Sequence, residues 1–489
     1  MESGHCFLLL CSLVFALSFA EETTFENEID LAEFIRRISS SGLLVRDQPL
    51  AINRDLRFET NSLEELGDPE DSIPIWTDEE PVIQNTLNTG TTIPDIPDYG
   101  PIVLTNNGVI KGLTVEKSHI FYGIPYADPP VAAYRWKPPR PVTPWPGVHE
   151  ATYPRDACMQ GCSGPISDEC PQKVSENCLY LNIFVPLDVN FSSPLLTPLP
   201  VMVWIHGGDF IAGSASKPLY DGRFISNFTH TVVVSMEYRL GAFGFLVSGK
   251  DPKTSATGNY GILDQQVALL WVQQNIALFG GDPSKVTIFG ESAGAQSVSL
   301  HLMVQSSKPL FKQAVFQNFI DLNDLSVYPQ IVLNSMIVTD YVFLCPSRKA
   351  ARAGTKVGSA VWMYVFDHVT SDHSVWSGLS FCYEHVCHGA ELPFLFDTAS
   401  VANFTLAPPE RLLSNRMLCY WGTFAHTGDP ASRVQQSGFC RQQRLPAWPR
   451  YSDTSSWLVM NFTVLHKQWK FVFYISHSPW ETCTYRAYT

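Results

Sequence analysis

The chain has 489 residues, 45% apolar and 16% charged, which excludes a largely disordered or collagen-like protein. The formal net charge of −14 is local: residues 21–100 hold 19 Asp/Glu against 5 Lys/Arg, whereas residues 101–489 hold 27 against 28. A nearly neutral body lacks the basic face that phosphate contacts demand, so no nucleic-acid partner is expected.

The run Cys6–Leu17 is apolar or small throughout. It has the length of a signal-peptide core and is too short to span a bilayer. Ser18-Phe19-Ala20 fits a cleavage site, although no Lys or Arg precedes the run. Residues 1–20 therefore read as a signal peptide and the protein as secreted. No later apolar stretch reaches about 18 residues, so no transmembrane segment is expected, and no lipid-anchor tail is visible. Cleavage would remove Cys6 and Cys11 and leave ten of the 12 cysteines, an even number that suggests disulfides in an oxidising compartment. They form no CxxC pair, and no metal site or cofactor is expected. Asn190, Asn227, Asn403 and Asn461 each head a glycosylation sequon. Residues 21–100 are acidic and rich in Pro, Thr and Asn, and read as a mostly disordered leader.

From residue 101 the pattern alternates between strands and helices. Val201–Ile205, Val232–Met236 and Val286–Phe289 are continuous apolar runs. A helix is expected from about Asp264 to Leu278, with Val267, Leu270, Trp271 and Leu278 on one face and Gly280-Gly281 at its end. Apolar strands alternating with helices imply an α/β fold, a mainly parallel sheet with helices on both faces. Gly290-Glu291-Ser292-Ala293-Gly294 joins the third strand to a helix expected over Ala295–Val304. In that context Gly-x-Ser-x-Gly marks a sharp turn that presents a nucleophilic serine at a helix N-terminus. His206-Gly207-Gly208-Asp209-Phe210 closes an earlier strand and can offer backbone N–H donors to an oxyanion.

These motifs do not stand alone. Phe121-Tyr122-Gly123-Ile124-Pro125-Tyr126-Ala127, Ser175-Glu176-Asn177-Cys178-Leu179, Tyr238-Arg239-Leu240-Gly241, Gly258-Asn259-Tyr260-Gly261, Phe279-Gly280-Gly281-Asp282-Pro283, Cys387-His388-Gly389-Ala390-Glu391-Leu392-Pro393-Phe394 and Trp421-Gly422-Thr423-Phe424-Ala425 follow one another in order. With them residues 101–489 resemble the type B carboxylesterase/cholinesterase family of α/β-hydrolases. The resemblance implies an extracellular carboxylic ester hydrolase that passes through an acyl-serine and acts on a small-molecule or lipid ester. It implies Ser292 as nucleophile, His388 as general base, Gly208, Asp209 and Ala293 as oxyanion donors, and a Cys158–Cys178 disulfide. By itself, His388 would not stand out among the 13 histidines.

Three departures qualify the resemblance. His388 stands 96 residues after Ser292, a far shorter interval than the family shows, and the likeness lapses near residues 320–327. The family's acidic triad member belongs to the missing stretch. Asp321, Asp324 and Asp340 lie in the interval without its motif. Loss of that acid leaves turnover in doubt, and the competing expectations are an inactive secreted binding or adhesion protein and a non-functional isoform. Asp209 replaces a glycine; at about 5 Å and an effective dielectric of about 20 its carboxylate would oppose an oxyanion by roughly 3 kcal/mol. The Cys158–Cys178 loop, which carries Cys162 and Cys170, has no Trp to hold a quaternary ammonium by cation–π attraction, which argues against choline esters.

Overall fold

The computed structural model describes residues 100–161, 171–191, 197–318, 344–376, 378–434, 437–452 and 457–464. The expected signal peptide and all but the last residue of the acidic leader lie outside them, as do Cys162, Cys170, Asp321, Asp324 and Asp340.

Seven strands form the central sheet: β1 (Leu113–Val115), β2 (Ser118–Pro125), β3 (Tyr180–Pro186), β4 (Leu199–Ile205), β5 (Val232–Met236), β6 (Gly281–Glu291) and β7 (Gln313–Gln317). Their spatial order is β7-β6-β4-β5-β3-β2-β1. β7, β6, β4 and β5 are parallel to one another, and the three apolar runs of the sequence lie in β4, β5 and β6. β3, β2 and β1 extend this parallel half by antiparallel pairing. All residues of β4 and β5 are buried, as strands covered on both faces must be.

Alternation along β4 assigns the two faces. Met202 and Trp204 point into a core shared with Phe289 of β6 and with α1 (Gly222–Thr229), α5 (Leu392–Phe396) and α6 (Pro408–Thr427). There the Trp204 ring centroid lies 4.9 Å from both Phe289 and Phe396. On the opposite face, α2 (Tyr260–Asn275) ends in a turn whose Phe279 packs edge-on against Phe121, 4.9 Å between centroids. α3 (Ala293–Met303) follows β6, and α4 (Cys345–Lys356) opens the chain after residue 343. No described helix is long and apolar enough to cross a membrane.

The helix expected at Asp264–Leu278 begins earlier and ends earlier. Gly258 and Asn259 take left-handed φ angles of 84° and 59° and launch it at Tyr260. Past Asn275 the winding tightens to 3-10, which carries Leu278 to the surface, 44% exposed, and turns Phe279 inward. The face reading missed that polar residues are also inside. Asp264 is fully buried and receives the Arg239 guanidinium at 2.7 Å, while Gln265 Nε2 donates to Ser297 Oγ at 3.0 Å.

The stretch 361–366 is a strand only in its last three residues, β8 (Tyr364–Phe366). It pairs in parallel with β9 (Met460–Phe462) outside the seven-stranded sheet. Its first residues bond to irregular chain instead: Val361 O accepts Tyr451 N–H at 2.7 Å, and Met363 O accepts Met460 N–H at 2.9 Å and Trp448 Nε1–H at 3.1 Å.

Three described disulfides join Cys158 to Cys178, Cys382 to Cys387 and Cys419 to Cys440. The first is the expected pair. Asn190 and Asn403 are exposed and Asn227 is half-buried. Asn461 lies in β9, 6% exposed, with Nδ2 3.4 Å from Asp367 Oδ2.

Candidate active site

β6 ends at Glu291 and α3 begins at Ala293, so one residue, Ser292, makes the whole turn. Its backbone sits at φ 55° and ψ −122°, a conformation that residues other than glycine avoid and that stores roughly 1–3 kcal/mol. The flanking glycines are obligatory for a steric reason. A Cβ on Gly294 would lie 2.0 Å from Ile205 O, and one on Gly290 would lie 2.7 Å from the same oxygen and 2.6 Å from the Gly294 carbonyl. The turn is held by Ser292 N–H donating to Gln317 O of β7 at 3.0 Å, and Ser292 is 5% exposed.

The glycine-rich loop after β4 lies directly against this turn. A Cβ on Gly207 would come within 3.0 Å of Ser292 Cβ and 2.7 Å of Glu291 O. Gly208 and Asp209 take left-handed φ values of 112° and 53°. Gly208 O accepts the N–H groups of Ile211 and Ala212, each at 3.0 Å, which folds the loop back on itself. Ala293 is the first residue of α3, so its N–H belongs to the orphan donors of that helix. Asp209 is exposed.

His388 arrives from a distant part of the chain. The Cys382–Cys387 disulfide closes the segment before it. Behind it Leu392, Phe394, Leu395 and Phe396 are buried, the last against Trp204 and Phe289 of the sheet. Burial of each such aromatic is worth on the order of 2–3 kcal/mol, and together they pin the histidine beside the turn. Its Nε2 lies 2.9 Å from Glu291 Oε1, the residue that precedes the serine. The imidazole is 43% exposed, and the carboxylate is 7% exposed.

A second carboxylate lies beneath. Glu391 is 3% exposed, and its Oε1 accepts Asn318 Nδ2 at 2.8 Å and Gln317 Nε2 at 3.3 Å. Burial, then the charge of Glu291, raises the Glu391 pKa. For His388, desolvation works downward, but contact with Glu291, its charge, and the charges of Glu391 and Asp209 outweigh it, so the net shift is upward. The sequence motif around His388 included Glu391 without giving it a role, and nothing local signalled that Glu291 would meet a residue so far along the chain. The arrangement is competent for nucleophilic chemistry: a strained serine, an adjacent loop of backbone amides, and an imidazole whose cation two carboxyl groups would stabilise.

Comparison with known proteins agrees with this geometry. The carboxylesterase family profile matches residues 99–330 and 333–470. The chain is 44% identical over 228 residues to a cholinesterase of Mus musculus and 45% identical over 228 residues to an acetylcholinesterase of Electrophorus electricus, in each case using 44% of this chain. It spans about a third of the length of these two relatives, 36% and 35%. A longer alignment, 29% identical over 512 positions, covers 72% of this chain and 81% of an acetylcholinesterase of Bungarus fasciatus. On the family match across most of its length, with the serine turn and its glycine loop in place, the chain belongs to the carboxylesterase family.

Proposed function

We propose that the protein is a secreted serine ester hydrolase. The observation that carries this reading is the left-handed Ser292 at the β6–α3 junction with Gly207 packed against its Cβ. Ser292 Oγ attacks the ester carbonyl and His388 takes its proton. The negative oxygen of the tetrahedral intermediate is received by the N–H groups of Gly208, Asp209 and Ala293. His388 returns the proton to the departing alkoxide, leaving an acyl-serine, and then activates the water that releases the acid. Glu291 contributes the carboxylate that stabilises the imidazolium, a duty the sequence reading left without an owner. The substrate is a small-molecule or lipid ester.

We further infer that the chain lacks a family segment near residues 320–327. The support is that the snake alignment has 512 positions but takes in only 72% of this chain's 489 residues, about 352, so part of that relative has no counterpart here.

The test is labelling of the secreted protein by a fluorophosphonate, together with hydrolysis of p-nitrophenyl esters, beside Ser292→Ala. The expected result is labelling and turnover that both vanish in the variant. Labelling that persists in Ser292→Ala, or none in the parent, would reject the reading.

A further inference from the structure

A second histidine–carboxylate pair lies under the glycine-rich loop, apart from His388. His206 ends the strand run of β4 and is fully buried, with Nδ1 2.8 Å from Gly207 O. A carbonyl only accepts, so Nδ1 carries the proton, and Nε2 of the neutral ring is then a bare lone pair. Facing it at 3.8 Å is Oε2 of Glu237, the residue after β5. The other carboxyl oxygen, Oε1, accepts Ser214 Oγ–H at 2.6 Å and Ala215 N–H at 2.8 Å. Nε2 and Oε2 are both buried and lack a hydrogen-bond partner among the described residues. Two acceptors facing each other away from water repel, and a proton on one of them relieves that repulsion even at 3.8 Å, beyond direct hydrogen-bond reach.

We propose that Glu237 holds a proton up to near-neutral pH, with its O–H facing His206 Nε2, and that His206 thereby acts as a positioning residue for the oxyanion loop. This rests on the reading of Gly208 N–H as an oxyanion donor. Gly207 C=O and Gly208 N–H belong to one planar peptide and point in opposite directions. The bond from Nδ1–H to Gly207 O therefore aims Gly208 N–H the other way and fixes it. The ring has little freedom to depart. Tyr238 stacks on it at 4.5 Å and donates its hydroxyl to His206 O at 2.8 Å. A Cβ on Gly213 would lie 2.4 Å from both Nδ1 and Gly207 O, so the loop can close only over a glycine.

Burial, opposed in part by the bonds from Ser214 and Ala215, pushes the Glu237 carboxyl up to about 7. Burial pushes His206 down to about 4, which leaves the shared proton on the carboxyl. The charged and titratable neighbours are few. Lys217 lowers His206 further. Tyr238 faces Glu237 and Glu291, and both raise its pKa. Tyr126 donates its hydroxyl to Glu237 O at 2.7 Å and feels Asp264, Arg239 and Glu237. When Glu237 ionises, the proton on Nδ1 is drawn to Nε2. Gly207 O then loses its donor and the Gly208 amide is released.

The experiment compares wild type with Glu237→Gln, whose side-chain amide can donate to Nε2 at every pH. kcat/KM for p-nitrophenyl acetate is measured from about pH 5 to about pH 9. Wild type is expected to show an alkaline limb with a midpoint near 7, and the variant to lack it. A wild-type profile without that limb, or coincident profiles, would overturn the proposal. A second readout is independent of catalysis. Because the folded pKa of Glu237 lies above its unfolded value, its stabilising effect is complete below the unfolded pKa and is lost as pH rises through about 7. The Tm of wild type should therefore fall relative to Glu237→Gln across that window. Parallel Tm curves would refute the protonated pair even in an active enzyme. A Tm difference in a protein that fluorophosphonates do not label would reject the serine reading and leave the pair standing.

Discussion

Ser292 and Glu291 are neighbours in sequence with opposite tasks, one strained into the turn and one fixed at the strand end. The strain at Ser292 is maintained because β6, α3 and the bond from its N–H to Gln317 O leave no other path. Glu291 meets His388 at 2.9 Å and holds its pKa above the ordinary value against desolvation. The sign follows directly: a raised pKa keeps the imidazole protonated, and so unable to act as base, to higher pH. Glu291→Gln removes the charge, so the acid limb of kcat/KM should move to lower pH while kcat falls by about ten-fold or more through the less stabilised imidazolium. An unchanged acid limb would show that the contact carries no catalytic weight. Asp209→Gly tests the other departure: relief of up to roughly 3 kcal/mol of repulsion should raise kcat, and an unchanged kcat would show that the carboxylate does not reach the oxyanion.

At the scale of elements, the junction of β6 with α3 was legible because its constraint is local. Glycines two residues either side of a serine are what a backbone passing within contact of Ile205 O requires. Gly294→Ala should therefore cost about 3 kcal/mol or more, seen as a lower denaturation midpoint, because a methyl 2.0 Å from that oxygen forces the helix away. Other features were not legible because they depend on what folds against them. Nothing in Asp264, Gln265 or Gln266 marked them as interior; they are inside because Arg239, Ser297 and Ser307 supply partners. The pairing of Cys382 with Cys387 was one connectivity among many. The placement of α5 on Trp204 is likewise long-range, and Phe396→Ala should cost ~3–5 kcal/mol and lower activity, since His388 rides on that contact. The start of α6 offers a pH test. Glu410 accepts His368 Nε2 at 2.9 Å, Ser371 N and Oγ at 2.7 and 2.6 Å, and Ala407 N at 2.8 Å. Burial opposes these bonds, but they prevail and hold its pKa down to about 2. A depressed carboxyl contributes stability above its unfolded pKa that is lost as pH falls through the folded one. Acid unfolding between about pH 4.5 and pH 2 should therefore flatten in Glu410→Gln, with ~2–3 kcal/mol less stability at neutral pH.

For the molecule as a whole, the sequence located the parallel half of the sheet and the order of its motifs, since apolar runs and glycine turns are local signals. It could not foresee that β8 would pair with β9 apart from the main sheet, because strand partnership is settled by which chain segments are present to compete. In the proposed function, Ser292 and His388 work together despite the short chain between them. Intact-mass and peptide mass spectrometry after brief exposure to a p-nitrophenyl ester whose acyl group is slowly hydrolysed from serine tests this most directly. An acyl adduct on the Ser292 peptide, absent in Ser292→Ala and formed at least a hundred-fold more slowly in His388→Ala, is the predicted result. No adduct, or one that forms equally fast without the imidazole, would contradict it.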